Sequence, residues 1–207
     1  MVYRFVIFLF RIFFHLFYRN RIEWEFDPKQ LCGAAIIAPN HASYLDPPLV
    51  SASWPKPLHF FAGKRLFHKG WLGWLLPRLN THPVEQGQEI ATMRLALSLL
   101  KEGKKIVVFP EGTRSKDGKM GPMRSGVSFL AFRSGAPIVP CYIEGTYEAW
   151  PPTKKRPRMR GRKTLCRFGK PIYPVCDDGT KLSKQEITDA IQTELERLGA
   201  SISEKRQ

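Results

Sequence analysis

A histidine and an aspartate stand five residues apart in the segment from Asn40 to Asp46. A carboxylate about one turn from a histidine can hold the imidazole tautomer and stabilise the imidazolium, which is the arrangement of a general base. We therefore take His41 and Asp46 as the candidate catalytic pair. On spacing alone, a structural histidine at the start of a helix fits equally well.

A second polar segment, FPEGTRS at 109–115, directly follows an apolar run. Its glycine, Gly112, permits close backbone approach, its threonine and serine supply hydroxyls, and Arg114 offers a planar fork of donors to a phosphate. Arg124 and Lys119 would add positive charge nearby. A polar turn is the plain alternative, but it does not explain why an apolar strand should end in a mixed acid–base cluster.

Other motifs for nucleophilic or nucleotide chemistry are absent from the sequence. There is no G-x-S-x-G elbow, which disfavours a serine hydrolase of that type. The stretch from Gly112 to Lys119 is not a Walker A motif, because five residues separate its glycines and Met120 stands where Ser or Thr is required. No dinucleotide-binding G-x-G-x-x-G occurs either.

The four cysteines show no pairing or metal-binding pattern. No two of them form a C-x-x-C pair, and no histidine lies at zinc-ligand spacing from two of them. We expect free thiols in a reducing compartment and no metal, since a chain of this length needs no disulfide framework. These cysteines are Cys32, Cys141, Cys166 and Cys176.

Apolar runs that end at turn residues predict buried strands at 22–26, 34–39, 58–62, 106–109, 137–143 and 165–168. Between them, residues 40–49 form a loop or a helix, and 90–100 has helical spacing with Gly103 just beyond its end. A capping box from Ser183 to Glu186 starts a last helix with one apolar face: Ile187, Ala190, Ile191, Leu195 and Leu198. This alternation predicts one α/β domain over residues 22–207, with a central mostly parallel or mixed sheet flanked by helices.

Residues 1–21 form a separate segment, which we interpret as a membrane anchor. The first 18 residues are almost all apolar, and Arg4, Arg11, His15 and Arg19 fall on one stripe of a helix. Arg11 at its middle disfavours a transmembrane span, and no small-residue cleavage site follows. We expect a helix lying in the membrane interface, with the basic stripe toward the lipid phosphates. A buried core helix is the alternative.

The chain carries a formal net charge of +15, which favours an anionic partner, either nucleic acid or an anionic membrane surface. Residues 153–170 hold nine Lys or Arg and no acid, with breaks at Pro157 and Gly161, and form a basic loop. Only one aromatic residue, Phe168, accompanies them, so a stacking platform for nucleic acid is not indicated. We therefore expect a phospholipid membrane as the partner and no nucleic acid.

The H-x4-D and FPEGTRS motifs, in this order and each after a predicted strand, resemble the glycerophospholipid acyltransferase family. Bacterial 1-acylglycerol-3-phosphate acyltransferases are its prototype. The likeness extends to the segments 62–67, Gly73-Trp74, 138–146 and 167–172, and the basic, apolar N-terminus is similar to the family's anchor. The sequence departs from the family at Gly63, Arg65, the Glu85-Gln86 pair and the Met123-Arg124 pair, all on the side of the acceptor and the acyl channel.

The resemblance implies that His41, oriented by Asp46, takes the proton of the sn-2 hydroxyl of 1-acyl-sn-glycerol-3-phosphate, which is lysophosphatidic acid. That hydroxyl attacks an acyl thioester, either acyl-CoA or acyl carrier protein, and gives phosphatidic acid without a cofactor. The acceptor would bind to Glu111, Gly112, Thr113, Arg114, Lys64 and Arg124. Residues 71–76 would line the acyl path or pack in the core. The resemblance places the enzyme on the cytoplasmic face of the inner membrane.

Two alternatives stay open from the sequence. The departures from the family pattern leave room for a sibling acyltransferase that acts on glycerol-3-phosphate, another lysolipid or an aminoacyl-lipid. A basic module that binds membranes or nucleic acid without catalysis would also explain the charge of +15.

Overall fold

The computed structural model describes residues 2–85, 87–159, 163–175 and 179–204. Gln86, Gly161 and Cys176, which the sequence singles out, lie outside these ranges. The helices are α1 (Val2–Tyr18), α2 (Asp46–Ser53), α3 (Gly70–Arg78), α4 (Glu89–Lys101), α5 (Gly126–Ser134), α6 (Thr146–Ala149) and α7 (Lys184–Glu204). The strands are β1 (Arg21–Trp24), β2 (Ala35–Pro39), β3 (Phe60–Gly63), β4 (Thr81–Val84), β5 (Lys105–Val107), β6 (Ile138–Glu144) and β7 (Leu165–Phe168).

Five strands form the central sheet in the order β1-β7-β6-β2-β5. The three strands β6, β2 and β5 are parallel, whereas β7 pairs antiparallel with β6 and parallel with β1. Together with its flanking helices, this mixed sheet confirms the predicted α/β class. All six predicted strands are present, and their ends differ from the prediction by at most two residues.

A two-stranded parallel sheet of β3 and β4 continues the central sheet beyond β5. The link is His59, which forms a parallel bridge with Ile106, so β3 runs in the same direction as β5. The Nδ1 atom of His59 lies 3.0 Å from Nε2 of His82 in β4. Burial lowers the pKa of both imidazoles, which favours the neutral pair that can share a hydrogen bond.

The sheet separates two apolar cores, because successive side chains of a strand point to opposite faces. Ile37 packs with α1 and α2 on one face, whereas Ile36 and Ala38 pack with α4, α5 and α7 on the other. All five residues of β2 are buried. Burial on both faces explains why this strand is an uninterrupted apolar run in the sequence.

Local signals at helix ends explain two of the predicted helices. The capping box forms reciprocally: the Ser183 backbone N–H donates to Glu186 Oε2 at 2.7 Å, and the Glu186 N–H donates to Ser183 Oγ at 3.2 Å. Helix α4 ends at Lys101, and Gly103 follows in the left-handed region, as predicted. The sequence does not predict β4, because His82 and Pro83 interrupt its short pattern.

Helix α1 has one buried face and one exposed apolar face. One face is buried against α2 and the sheet through Ile7, Phe14 and Tyr18. The opposite face exposes a row of large apolar side chains, namely Phe5, Phe8, Leu9, Ile12 and Leu16. Within the described residues, no helix is both long and apolar enough to cross a bilayer.

The expected position of the basic stripe needs one correction. Arg11 Nε donates to the Ala52 carbonyl at 2.9 Å and Arg11 Nη2 to the Trp54 carbonyl at 3.1 Å. These carbonyls lie at the end of α2, where the helix leaves them without partners of its own. Arg11 is therefore bound to the protein at the border of the packed face, and part of its hydrogen-bonding capacity is used there.

Three of the four cysteines, Cys32, Cys141 and Cys166, are free, as the sequence predicts. Cys141 and Cys166 face each other in the core with their sulfurs 3.3 Å apart. The fourth, Cys176, lies outside the described residues.

Candidate active site

Two polar segments meet at one edge of the sheet because β2 and β5 are neighbouring parallel strands. Residues 40–45 leave the carboxyl end of β2, and the segment 109–115 follows the carboxyl end of β5. Loops at this edge of an open α/β sheet commonly carry the reactive groups. The backbone N–H of Ser115 donates to the carbonyl of His41 at 2.8 Å and ties the two segments together.

The side chains of His41 and Asp46 are in direct contact. Nδ1 of His41 lies 2.9 Å from Oδ2 of Asp46. A carboxylate can only accept here, so Nδ1 carries the hydrogen and Nε2 keeps a free lone pair when the imidazole is neutral. The His41 side chain is 16% exposed and that of Asp46 is fully buried, so substrate can reach the imidazole but not the carboxylate.

The turn between the two residues positions the carboxylate. Oδ2 of Asp46 also accepts the backbone N–H groups of Ala42 and Ser43, each at 2.7 Å. Asp46 is the first residue of α2, where the helix dipole favours a negative charge. Pro47 and Pro48 follow it in the first turn, where a missing N–H costs nothing. The sequence therefore starts the helix at the residue that orients the imidazole.

The Glu111 side chain joins the two segments through hydrogen bonds to backbone N–H groups. Its Oε1 accepts the His41 backbone N–H at 2.7 Å, and its Oε2 accepts the Gly121 N–H at 2.8 Å. Burial raises the pKa of the Glu111 carboxyl, although the hydrogen bonds from Gly121 and His41 act in the opposite direction. Both carboxylate oxygens are thus used inside the protein, and the side chain is buried.

Two further contacts fix the position of His41. The ring of Phe109 stacks on the imidazole with centroids 3.8 Å apart and planes 21° apart. The preceding residue, Asn40, is buried and bonds both backbone groups of Ile143 in β6, donating to the carbonyl at 3.0 Å and accepting the N–H at 2.6 Å. The histidine therefore follows a strand end that is pinned on its neighbour.

Two arginines border the candidate site. The Arg114 guanidinium lies 3.8 Å from the centroid of the Tyr44 ring, and Tyr44 in turn contacts Trp150. The Arg124 side chain crosses Gly112, which has a φ of +70°, and a Cβ at that glycine would come within 2.8 Å of the Arg124 Cδ. A glycine here provides both the left-handed turn and the space for the arginine.

Comparisons with known proteins identify the family of the chain. A family model described as Acyltransferase matches residues 22–144, more than half of the chain. The chain belongs to the acyltransferase family. The match includes the His41–Asp46 pair and the 109–115 segment.

Similar acyltransferases occur in plants and bacteria. The chain is 27% identical over 169 residues to a 1-acyl-sn-glycerol-3-phosphate acyltransferase of Bacillus subtilis, covering 79% of this chain and 80% of that protein. It is 29% identical over 119 residues to a chloroplastic enzyme of the same name from Brassica napus, covering 56% of this chain. The match spans only about a third (34%) of that plant protein's own length.

A solved structure shares the fold. The crystal structure of the 1-acyl-sn-glycerophosphate acyltransferase PlsC from Thermotoga maritima superposes with a TM-score of 0.77 at 25% identity, covering 97% of this chain and 80% of that one. The resemblance inferred from two short motifs thus extends over the fold of this acyltransferase-family chain.

The other candidate residues are less closely connected to the His41–Asp46 pair. Lys64 follows β3 at the same edge of the sheet, and its ammonium bonds both carboxylate oxygens of Glu85 at 3.2 Å. Thr113 is exposed within its loop. Residues 71–76 lie in α3, which has no buried residue and exposes Trp71 and Trp74. Core packing, one of the two interpretations of this stretch, is therefore not observed.

Sequence reasoning gives no role to several residues that complete the site. The stacking of Phe109 on His41, the support of Arg114 by Tyr44, and the Gly121 N–H that binds Glu111 are visible only in the structure. Phe109 and Tyr44 lie inside the two motifs, so their positions offered a signal. Gly121 lies ten residues from Glu111, and no local pattern indicates this pairing.

We expect Glu111→Gln to lower the free energy of unfolding by about 1–3 kcal/mol, because a glutamine can accept only one of the two buried N–H groups. Urea unfolding measures the change. Glu148→Gln, at an exposed carboxylate, is the matched control and should stay within about 0.5 kcal/mol of wild type. A Glu111→Gln effect as small as that of the control would contradict the bridging role.

Proposed function

We propose that the chain transfers a fatty acyl group from an acyl thioester to the sn-2 hydroxyl of 1-acyl-sn-glycerol-3-phosphate and so forms phosphatidic acid. The observation that carries the proposal is the contact of His41 Nδ1 with Asp46 at 2.9 Å, which leaves Nε2 as the basic nitrogen at the site entrance. The names of the relatives and of the superposed structure support this choice of reaction.

The chemistry proceeds by direct transfer. His41 Nε2 takes the hydroxyl proton while the oxygen attacks the thioester carbonyl, and the imidazolium then returns the proton to the departing thiolate. Asp46 stabilises the imidazolium because its buried carboxylate faces Nδ1. The acyl group passes from sulfur to oxygen without an enzyme nucleophile or a cofactor.

The acceptor phosphate would bind to the cationic side of the site. The Tyr44 ring restrains the Arg114 guanidinium before the acceptor arrives, and Arg124 passes close to Gly112. The Lys64 ammonium is already paired with Glu85, so it would bind the phosphate only while it also contacts that carboxylate. Glu111 supports this side through the backbone, and we propose contact of Gly112 and Thr113 with the acceptor through the same loop.

The departures from the family pattern concern the acceptor headgroup. The departures from the family at Gly63 and Arg65 lie beside Lys64, on the phosphate side. A sibling reaction with glycerol-3-phosphate, another lysolipid or an aminoacyl-lipid would use the same base and the same thioester. Only the contacts around the acceptor headgroup would differ.

The proposed chemistry and the exposed face of α1 support a membrane location. The acceptor and the product are lipids, and extracting an acyl chain into water costs about 0.8 kcal/mol per CH₂. The exposed apolar row of α1 would enter the acyl region, and the basic surface would face anionic headgroups at the cytoplasmic side of the membrane. We propose anchoring in the interface, with acyl-CoA or acyl carrier protein arriving from the aqueous side.

Acyl transfer to lysophosphatidic acid should fall by about 10²–10⁴-fold in His41→Ala, the range of a lost general base. His68→Ala, at an exposed histidine outside residues 40–46 and 109–124, should retain activity. The assay supplies one acyl-CoA with lysophosphatidic acid, glycerol-3-phosphate and a neutral lysolipid in parallel. Equal turnover of both variants would remove His41 as the base, and turnover with another acceptor alone would contradict the proposed substrate.

Flotation with phosphatidylglycerol vesicles tests the anchor. The double variant Phe5→Ser/Phe8→Ser should lower vesicle partitioning at least about tenfold, because each exposed phenylalanine that enters the acyl region contributes about 1.5–3 kcal/mol. Ile90→Ser removes an even more exposed apolar side chain from α4, on the opposite face of the sheet, and should leave partitioning unchanged. Equal losses in both variants, or in neither, would contradict anchoring through α1.

A further inference from the structure

A groove of about 660 Å³ lies between α1, β1 and the end of α2. Ile12 and Leu16 of α1 form one wall, and Ile22 and Trp24 of β1 contribute to the other. The groove is apart from the candidate active site, because Asp46 begins α2 while Ser53 ends it, about 10 Å further along the helix at 1.5 Å per residue.

Arg11 places a positive charge at the rim of the groove. Arg11 lies there with its guanidinium held against the carbonyls of Ala52 and Trp54, which leaves Nη1 for another acceptor. His15 follows one turn later on the same side of α1. Among the described residues that line the groove none is acidic, so the rim favours an anion.

We propose that this groove binds one anionic phospholipid of the membrane. An acyl chain lies against Ile12, Leu16 and Ile22, and the headgroup phosphate bonds Arg11 at the rim. The groove is open along one side, so a lipid in it would keep contact with the surrounding membrane. The lipid is held beside the anchor helix and is not consumed, so the site adds to the proposed acyl transfer.

Calorimetric titration of the full chain with dioctanoylphosphatidylglycerol, kept below its micelle concentration, tests the site without a membrane. We expect one lipid per chain, and weaker binding of the zwitterionic dioctanoylphosphatidylcholine. Ile22→Glu should weaken binding at least tenfold, because it places a carboxylate in the groove at a residue that is 42% exposed and tolerant of change.

Two matched variants separate this site from other sites on the chain. Leu9→Ser removes an exposed apolar side chain of α1 outside the groove and should bind the lipid as wild type does. Arg114→Ala should also bind normally, even if the proposed acyl transfer proves wrong. Binding that is lost in Arg114→Ala but kept in Ile22→Glu would overturn the groove, as would equal affinity for the two headgroups.

Discussion

The candidate site depends on one oxygen atom. Oδ2 of Asp46 receives the imidazole Nδ1 and two backbone N–H groups from the four residues before it, all within 2.9 Å. Three donors on a fully buried carboxylate fix the shape of the turn and the orientation of His41 at the same time. The start of α2 at this residue adds the favourable end of a helix dipole, so local folding and the chemistry of the histidine are coupled.

The sheet brings the second half of the site to this turn. Because β2 and β5 are parallel neighbours, the 109–115 segment arrives beside His41, and Glu111 bonds its backbone N–H. Asn40 fixes the other side through Ile143 of β6. The imidazole is thus held from three strands, while Arg114 lies half-buried against the Tyr44 ring and Arg124 is exposed.

Much of this arrangement can be predicted from the sequence, and the missing parts share a physical cause. Buried strands such as β2 can be predicted because burial on both faces requires an apolar run. The H-x4-D turn can be predicted because its contacts are local. Contacts between distant segments cannot be predicted in this way. Examples are the hydrogen bond between Glu111 and Gly121 and the hydrogen bonds of Arg11 to the end of α2. The same holds for β4, whose pairing with β3 outweighs a weak strand pattern.

The most direct test of this account is the tautomer of His41, read from the ¹⁵N chemical shifts of its imidazole in the neutral form. The geometry predicts that the hydrogen resides on Nδ1, facing Asp46, and that Nε2 is unprotonated and available as the base. A hydrogen on Nε2 in wild-type protein would contradict the account, because the nitrogen that faces the substrate could then not accept a proton.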